Sequence, residues 1–354
     1  MLVIRPIALT DLEDLESLAV SAGVGLTSLP NDPKWLRKRI KFSMSSFEGL
    51  IDFADEPGDF VFLFALEDIQ TKKVVGICGI YSKVGGFEPF YSYKIETEVF
   101  KSTQLGIHKE VPILKLHEDH NGPSEIGSLF LLPDFRQGGN GRFLQLIRFL
   151  FMAEYPQVFE DTVITEIRGV NDGKGNSPFW DAIGRHFFGI EFARADHLSI
   201  VNKRFIAELM PDHPIYITML PESARAVIGK PHEISARAYA NLKSEGFEFA
   251  DMVDIFDAGP ILQCKRDEIR CVRESVSAQV VGAFEGAAGG ASEGVQYMIC
   301  TSRSDDRKPT DFRAVCSELQ IESPARVRLS RDAMTALNIT NGATIRYSTL
   351  RPKK

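Results

Sequence analysis

The sequence predicts an α/β fold with a region near the C-terminal end that is mostly β. Over residues 1–200, short apolar stretches typical of strands alternate with stretches whose apolar residues recur at helical spacing. A glycine-rich loop at residues 136–141 joins one such strand to one such helix. From about Ile261 onward, strand signals dominate. A chain of 354 residues is long enough for two domains, and we expect them at 1–200 and 201–354.

The N-terminal segment predicts a strand, a helix and a hairpin. Thr10 or Asp11 can cap the helix, whose apolar face is formed by Leu12, Leu15, Leu18 and Ala19. The apolar stretches Phe60–Leu66 and Val74–Ile80 are separated by a polar turn, which is typical of an antiparallel hairpin. We expect this hairpin at the centre of the sheet.

The glycine-rich loop has the setting of a phosphate-binding loop. It follows the apolar strand Ile126–Leu132 and opens the helix Arg142–Glu154. Glycines let a backbone approach an anion closely, and the N–H groups and dipole at a helix N-terminus attract negative charge. We therefore expect a ligand that carries a pyrophosphate.

The residues after the glycines narrow the choice of ligand. A nucleotide P-loop needs Lys followed by Ser or Thr, but Arg142 and Phe143 stand there, and a dinucleotide fingerprint needs a glycine where Leu144 stands. The loop instead resembles the acyl-CoA loop of the GCN5-related N-acetyltransferase superfamily, whose three defining positions are matched by Arg136, Gly139 and Gly141. An ordinary glycine-rich turn is the alternative.

The elements after the loop agree with this resemblance. The helix carries an apolar stripe from Phe143 to Phe151, and on its other side we expect Gln145, Arg148 and Tyr155. A strand at Val163–Ile167 and a polar turn follow, and then a helix that Ser177 caps and that runs towards His186. In the superfamily, the splayed strand pair and this helix hold the pantetheine arm.

The second region continues with mixed elements. We expect a strand at Pro214–Leu220, a short helix opened by Pro221, and a helix from Glu233 to Glu245 that Gly246 closes. The glycine-rich stretch Gly282–Gly294 predicts a flexible loop, and the chain then ends in a small β unit packed on the main body.

Longer stretches look like the arginine N-succinyltransferase family. The resemblance extends from the N-terminus to roughly Arg273 and more loosely to the end, and its best stretches are Ser124–Arg136, Asn140–Leu144, Ser177–Phe188, Ala195–Ser199 and Val253–Pro260. It implies an acetyltransferase-like mixed sheet with helices on both faces. It also implies transfer of succinyl from succinyl-CoA to the α-amine of arginine in arginine catabolism. Some members accept ornithine, and some occur as pairs of related subunits.

The resemblance implies how the acyl donor is held. No permanently bound cofactor is expected, and succinyl-CoA acts as co-substrate. The thioester oxygen would be bound by a backbone N–H near Leu131 or Leu132, where the central strand splays. The full set of candidate cofactor-binding residues is Leu131, Leu132, Arg136, Gln137, Gly138, Gly139, Asn140, Gly141, Arg142 and Ser177.

Acyl transfer to an amine needs a base, because an α-amine is largely an ammonium at neutral pH. Glu125, near the start of the strand before the loop, is the first candidate, and His232 is the second. For each residue, the alternative is a side chain that simply lies in solvent and has no catalytic role. The superfamily usually protonates the leaving thiolate with a tyrosine after the pantetheine turn, but Phe179 and Trp180 occupy that region. No general acid is assigned.

The substrates require charged partners. A guanidinium is best held by carboxylates, for which Asp254 and Asp257 are the candidates, although acids that cap a turn would look the same. The distal carboxylate of a succinyl group needs a cation, and the candidates are Arg142, Arg168 and Arg185. The sequence does not choose among them.

Composition argues against several other classes. With 41 Lys+Arg against 48 Asp+Glu, the net charge is −7 and nucleic acid is not an expected partner. No apolar run is long enough to span a membrane, and we expect a cytoplasmic protein. The five cysteines are scattered, as buried small hydrophobes would be. His117 and His120 flank two acids, but no third ligand motif accompanies them, so no metal is expected.

Three readings remain open on the sequence alone. The first is an arginine N-succinyltransferase that works by direct transfer, in a homo-oligomer or with a paralogous subunit. The second is an acyltransferase of the same fold with another amine or another acyl donor. The third is a non-catalytic subunit that stabilises a paralogous active chain.

Overall fold

The structure is a computed structural model, and it describes residues 1–23, 28–50, 59–86, 89–172, 176–201, 204–284, 294–303 and 307–352. Most of the predicted loop at 282–294, namely residues 285–293, lies outside this part of the chain.

The described residues form a mixed α/β structure in which strands and helices alternate. The strands are β1 (Leu2–Pro6), β2 (Val61–Asp68), β3 (Lys73–Tyr81), β4 (Phe90–Ser102), β5 (Ile107–Asp119), β6 (Ser124–Leu131), β7 (Thr162–Glu166), β8 (Ile215–Tyr216), β9 (Glu248–Val253), β10 (Pro260–Lys265), β11 (Val276–Phe284), β12 (Tyr297–Thr301), β13 (Ala314–Ser317), β14 (Leu319–Ser323), β15 (Arg326–Ser330) and β16 (Thr344–Thr349). The helices are α1 (Leu12–Ala22), α2 (Pro33–Gly49), α3 (Asn140–Glu154), α4 (Pro178–Ala182), α5 (Gly184–Phe188), α6 (Phe192–Val201), α7 (Arg204–Leu209), α8 (Glu222–Arg225), α9 (Ala236–Ser244), α10 (Arg270–Arg273) and α11 (Arg331–Leu337).

The strands join into one twisted sheet. Its order is β14-β15-β11-β16-β12-β13-β1-β2-β3-β6-β7-β10-β9-β4-β5-β8. The pairs β6–β7 and β11–β15 are parallel, whereas the other neighbours are antiparallel. Helices cover both faces, so the predicted mixed α/β sheet is confirmed, and the β2–β3 hairpin lies near its middle as expected.

Helix α2 lies along the sheet where β1 ends. Its hydroxyls Ser43 Oγ and Ser46 Oγ accept the backbone N–H groups of Leu63 and Val61, at 2.9 and 3.1 Å. These are ladder positions of β2 that β1 is too short to reach. The two buried serines therefore satisfy backbone groups that would otherwise be costly to bury.

Helix α3 is buried on all sides, which corrects the expectation that Gln145, Arg148 and Tyr155 face outward. These side chains are 1, 2 and 8 % exposed. Helix α9 packs on the side opposite the sheet, where Gln145 donates to Ala238 O at 2.9 Å and accepts from Asn241 at 2.9 Å. A pattern of apolar residues locates the face against the sheet, but it does not reveal a second layer that binds through polar groups.

The C-terminal strands extend the main sheet edge to edge. Strand β13 pairs antiparallel with β1 through Val3–Val315 and Ile4–Ala314. The unit has its own apolar core under α11, which includes Val280, Val327 and Leu337. Strands β9 and β10 lie within the main sheet, between β7 and β4. The division of the chain at residue 200 stays a prediction.

Three local predictions differ from the structure. The strand expected at Pro214–Leu220 is only Ile215–Tyr216, followed by one turn of 3-10 helix. Pro221 is the N-cap of α8 and not its first helical residue. The helix after Ser177 breaks at Ile183 into α4 and α5. The long hairpin β4–β5 was not predicted, because its strands carry many charges and little alternation.

A buried ion cluster joins the C-terminal elements to α3. Glu245, which is fully buried after α9, accepts from Arg270 Nη2 at 2.9 Å and from Arg142 Nη2 at 3.0 Å. Arg270 also donates to the carbonyl and hydroxyl of Thr349, at the end of β16. One carboxylate therefore connects α3, α9, α10 and β16.

We expect Glu245→Gln to lower the free energy of unfolding by about 3–5 kcal/mol, because it removes the carboxylate partner of the largely buried Arg142 and leaves Arg270 with only the half-exposed Glu274. Urea unfolding followed by circular dichroism measures the change. The matched control is Glu322→Gln, which removes the carboxylate partner of Arg328 in a partly exposed ion pair. It should lower the free energy of unfolding by less than about 1 kcal/mol. Equal losses in the two variants would contradict a central role for the buried cluster.

Candidate active site at the splayed strands

Strands β6 and β7 form a cleft because they pair only at their beginnings. Their parallel register consists of Ser124–Val163 and Glu125–Ile164. Beyond these pairs β6 continues against β3, while β7 continues against β10. The two strands therefore separate on the way to the loop at residues 136–141, as the resemblance implied.

The loop presents backbone N–H groups at the start of α3. Gly138 and Gly139 have φ of 61° and 88°, in the left-handed region that favours glycine. The first intrahelical bond runs from Phe143 N–H to Gly139 O at 2.9 Å. The N–H groups of Gly141 and Arg142 lie ahead of it, in the turn where a helix leaves its donors unsatisfied. This arrangement suits an anion.

Most polar side chains of the loop form hydrogen bonds with other residues of the protein. Arg136 Nε donates to Leu131 O at 2.9 Å, and Asn140 Nδ2 donates to Phe135 O at 3.1 Å. The Arg142 guanidinium reaches Leu350 O, Asn241 and Glu245. Any anion would therefore be bound mainly by the backbone of residues 136–142, and the cofactor-binding role of these residues stays a prediction.

Ser177 is also committed to the protein. It is fully buried, and its Oγ accepts from Trp180 N–H at 3.4 Å as the N-cap of α4. This geometry gives it a capping role, which the sequence predicted, and does not turn its hydroxyl to a ligand.

Only one of the two candidate oxyanion donors is available. Leu132 N–H donates to Val75 O at 3.0 Å, so it is already used by the sheet. The backbone N–H groups of adjacent strand residues point to opposite edges of the strand. Leu131 N–H is therefore directed away from β3 and towards the cleft. The bond from Arg136 to Leu131 O agrees with this direction.

Glu125 lies on the sheet face opposite α3, beside an aromatic and cationic cluster. A side-chain Cβ at Gly127 would be 3.3 Å from the Tyr81 ring and 3.5 Å from Glu125 Oε1, so both groups lie over this glycine. Ser128 has φ of 54°, and the β3–β6 register shifts there. Arg39 of α2 donates to Ser128 Oγ at 2.7 Å and to the Tyr81 hydroxyl.

Arg148 holds the same bulge from the other face. Its guanidinium is buried and donates to Gly127 O at 3.0 Å and Gly79 O at 3.3 Å. Burial lowers the pKa of this arginine, and the charge of Glu125 opposes that shift. The strand that carries Glu125 is therefore fixed by charged groups on both faces.

His232 contacts the site through its backbone. Its N–H donates to Arg168 O at 2.8 Å, and its Nδ1 accepts from Ile234 N–H at 3.1 Å as a helix cap. Because Nδ1 accepts, the neutral ring carries its proton on Nε2 and has no free lone pair to act as a base. The geometry does not favour the predicted catalytic role, which stays untested.

Asp254 and Asp257 hold a tight turn next to the end of β7. Asp254 Oδ1 accepts from Phe256 N–H and Asp257 N–H, at 2.7 and 2.9 Å. Asp257 accepts from Gly259 N–H and Gly169 N–H, each at 2.8 Å. These bonds fit the turn-capping alternative, and the substrate-binding role of both residues stays a prediction.

A third acid belongs to this group. Burial, and then the charge of Asp254, raises the pKa of Asp196 to about 7, while Arg168 opposes the shift. Burial also raises the pKa of Asp257 well above its ordinary value, again with a contribution from Asp254. Neighbouring carboxyl groups whose pKa values are raised by burial and by each other's charge are typical of functional sites.

Sequence reasoning did not single out Arg39, Tyr81, Ser128 or Asp196. Asp196 lay inside one of the family-like stretches, Ala195–Ser199, which was a usable signal. Arg39 had none, because its partners Tyr81 and Ser128 are brought to it only by the folded sheet.

Other predicted features lie outside this site. His117 and His120 pair with Asp119 and Glu118, and among the described residues no group of three potential metal ligands lies together. Four of the five cysteines are buried, as predicted, and burial raises the pKa of the Cys78 thiol to about 12. No helix in the described part of the chain is long and apolar enough to cross a membrane.

A separate cleft lies where β1 meets the C-terminal unit. Its three arginines are used by the protein: Arg5 binds Asp11 and Glu67, Arg307 donates to Asn338 O, and Arg313 donates to Ala336 O. It contains none of the residues of the splayed strands.

Comparison with known proteins gives consistent matches along the chain. The family of the arginine N-succinyltransferase beta subunit matches residues 2–271, and the family of its C-terminal domain matches residues 277–349. The arginine N-succinyltransferase of Yersinia pseudotuberculosis is 41 % identical over 99 % of this chain and 98 % of its own length. The arginine N-succinyltransferase subunit beta of Pseudomonas aeruginosa is 43 % identical over 94 % of this chain and 96 % of its own.

A solved structure matches the whole fold. Subunit AI of the arginine/ornithine succinyltransferase from Pseudomonas aeruginosa superposes with a TM-score of 0.88, at 34 % identity and with 99 % of each chain covered. The predicted fold class is therefore confirmed.

We expect Asp196→Asn to stabilise the protein at pH 8 and to have no effect near pH 4. The folded carboxyl keeps its proton up to about pH 7, whereas the unfolded one loses it near 3.8, so its contribution to stability falls as pH rises between these values. Melting temperatures across this range measure the effect. Asp212→Asn, at an exposed position, is the control and should show no such trend. Equal stability of wild type and Asp196→Asn at pH 8 would contradict the raised pKa of Asp196.

Proposed function

The chain belongs to the arginine N-succinyltransferase beta subunit family, and on that premise we propose that it transfers succinyl from succinyl-CoA to the α-amine of L-arginine. The observation that supports this most is the juxtaposition of an anion-binding loop, a cleft between splayed strands and a carboxylate beside the cleft. Together these are the parts that direct acyl transfer from a CoA thioester to an amine requires.

The donor would lie along the cleft with its pyrophosphate on the loop. The N–H groups of Gly138, Gly139, Gly141 and Arg142 would bind the phosphate oxygens. The thioester carbonyl would point at Leu131 N–H, which stabilises the negative charge that develops on its oxygen. The binding is by backbone groups, and succinyl-CoA is a co-substrate that leaves as CoA.

Glu125 would act as the base. The α-ammonium of arginine gives a proton to Glu125, directly or through water, and the free amine attacks the thioester carbon. A C–N bond forms and the C–S bond breaks. After the attack, the nitrogen loses a second proton, which ends on the thiolate of CoA, while the first passes from Glu125 to solvent. No enzyme-bound acyl group is needed.

The acid group near the end of β7 would recognise the arginine side chain. The charge of Asp254 contributes to the raised pKa of Asp196, so the two carboxyl groups lie close together. Asp257 would help through its charge, although both of its oxygens accept backbone N–H groups. A guanidinium would add positive charge beside these closely spaced acids.

The protein would work as an oligomer, with a second copy or with a related subunit. Two relatives are named as subunits, beta and AI, and both match nearly the full length of this chain. The cytoplasmic location stays a prediction.

One assay separates the three readings. The purified chain is incubated with arginine and either succinyl-CoA or acetyl-CoA, and the products are identified by mass spectrometry. Succinylarginine from the first donor supports the proposal, and acetylarginine or succinyl transfer to another amine supports a different acyltransferase. No product from the isolated chain, but product with an added related subunit, would indicate a non-catalytic role.

We expect Glu125→Gln to lower turnover by roughly 10²–10⁴-fold at neutral pH while CoA affinity stays nearly unchanged, because the amide cannot accept the amine proton. Steady-state kinetics and calorimetry measure the two effects. Glu110→Gln on the exposed face of β5 is the control. Near-normal turnover of Glu125→Gln would remove this residue from the mechanism.

We expect Gly141→Val to weaken CoA binding by at least about ten-fold, because the side chain would occupy the space of the phosphate. A Cβ at Gly141 has only Leu131 Cδ2 near it, at 3.8 Å, so folding should be little affected. Gly139 is a poorer test, since it has positive φ and a Cβ there would meet Leu350 at 3.0 Å. Ala236→Val in the first turn of α9 is the matched control, and unchanged calorimetric affinity for Gly141→Val would place CoA elsewhere.

A further inference from the structure

Arg168 follows β7 on a rigid backbone. Its carbonyl accepts from His232 N–H at 2.8 Å, and the next N–H, of Gly169, donates to Asp257 at 2.8 Å. A Cβ at Gly169 would lie 2.4 Å from Asp257 O, so only glycine fits there. The backbone of Arg168 is therefore fixed by two neighbouring segments, those that contain His232 and Asp257.

Its guanidinium is only partly satisfied. Nη2 donates to Asn171 Oδ1 at 3.2 Å. Nε is buried and has no hydrogen-bond partner, and within the described ranges Ser348 Oγ is the other buried side-chain atom in this condition. Arg168 forms no ion pair among the described residues, although Asp196 is near enough for their charges to interact. Buried donors normally have partners, so this one requires an explanation.

Arg168 lies two residues beyond the end of β7, past the point where β7 separates from β6. Glu125 and Ile164 are the last aligned residues of the two strands. Ile167 packs in the core under α3, and its bond to Pro260 O continues the ladder with β10. Alternation then puts Arg168 on the face opposite α3, which is also the face of Glu125.

The other arginines near the cleft already have partners. Arg142 binds Glu245, Arg148 binds two strand carbonyls, and Arg39 binds Tyr81 and Ser128. Arg185, one of the cations considered on the sequence, pairs with Asp181 and Glu191 on the surface. Of the three candidate cations, only Arg168 combines burial with an unused donor.

We propose that Arg168 is the residue that binds a carboxylate of a bound reactant in the cleft, an inference that rests on the proposed succinyl transfer. A guanidinium whose Nε–H has no partner can present two parallel donors, Nε–H and a neighbouring Nη–H, to a carboxylate, the geometry that arginine forms best. Two groups have this chemistry: the distal carboxylate of the succinyl donor and the α-carboxylate of the acceptor. Either would identify Arg168 as a specificity-determining residue, since acetyl-CoA lacks the first group and simple amines lack the second.

The test compares wild type with Arg168→Gln in two arms. The donor arm measures kcat/KM for succinyl-CoA and for acetyl-CoA at fixed arginine, together with the calorimetric Kd of succinyl-CoA and of CoA. The acceptor arm measures kcat/KM for arginine and for its α-carboxamide at fixed succinyl-CoA. Arg185→Gln is the matched control, because it removes the same charge from an exposed position.

In Arg168→Gln we expect one of two kcat/KM ratios to fall by about 10- to 100-fold: succinyl-CoA over acetyl-CoA, or arginine over its α-carboxamide. The kcat/KM for the compound that lacks the carboxylate should be nearly unchanged. Loss of the succinyl-over-acetyl ratio assigns the donor, and loss of the arginine-over-amide ratio assigns the acceptor. Both ratios at wild-type values overturn the proposal, whatever happens to the overall rate. Failure of the proposed function is a separate result, since wild type itself would then make no succinylarginine.

A variant that unfolds is recognised by its melting temperature. In that case both arms are repeated with Arg168→Lys, which keeps the charge but loses the planar fork. A smaller fall of one ratio is then expected, and wild-type ratios overturn the proposal. A purely structural role would change stability and leave both ratios in place.

Discussion

The fixed position of helix α3 depends on the buried carboxylate of Glu245. Taking an ion out of water costs several kcal/mol, and this cost is offset only when charged partners surround the ion. Glu245 has two arginine partners and also accepts Cys271 N–H at 3.1 Å. One of the arginines, Arg142, belongs to the first turn of α3. The cluster therefore fixes the N-terminus of that helix, which is the end that presents the glycine loop.

The cleft follows from the way that strand partners are shared. Strand β6 stays with β3 because Arg148 binds carbonyls of both strands, Gly79 and Gly127. Strand β7 stays with β10 over five paired residues. Two strands that are each held by an outer neighbour can separate without exposing a long unpaired ladder. A bulge at Ser128 completes the separation and brings Glu125 and Tyr81 over one glycine.

The sequence allowed the loop, its strand and its helix to be predicted, because these signals are local. Glycines with positive φ, an apolar strand and a helical stripe are all read within a few residues. The state of the Leu132 N–H could not be predicted from neighbouring residues, because it depends on the hydrogen bond to Val75 O in the next strand. Arg142 shows the same, because its acidic partner is over one hundred residues away. Charged residues with distant partners leave no periodic pattern.

The ionisation of the acids near Arg168 affects the stability of the fold. Asp196, Asp254 and Asp257 lie close together, and burial raises the pKa of two of them. Such a group opposes folding when it ionises, and groups with pKa values perturbed in this way cluster at functional sites. A substrate with a guanidinium at one end and a carboxylate at the other would complement both the acids and the open donor of Arg168. Neither charge alone explains why three separate segments of the chain bring three acids and an incompletely paired arginine together.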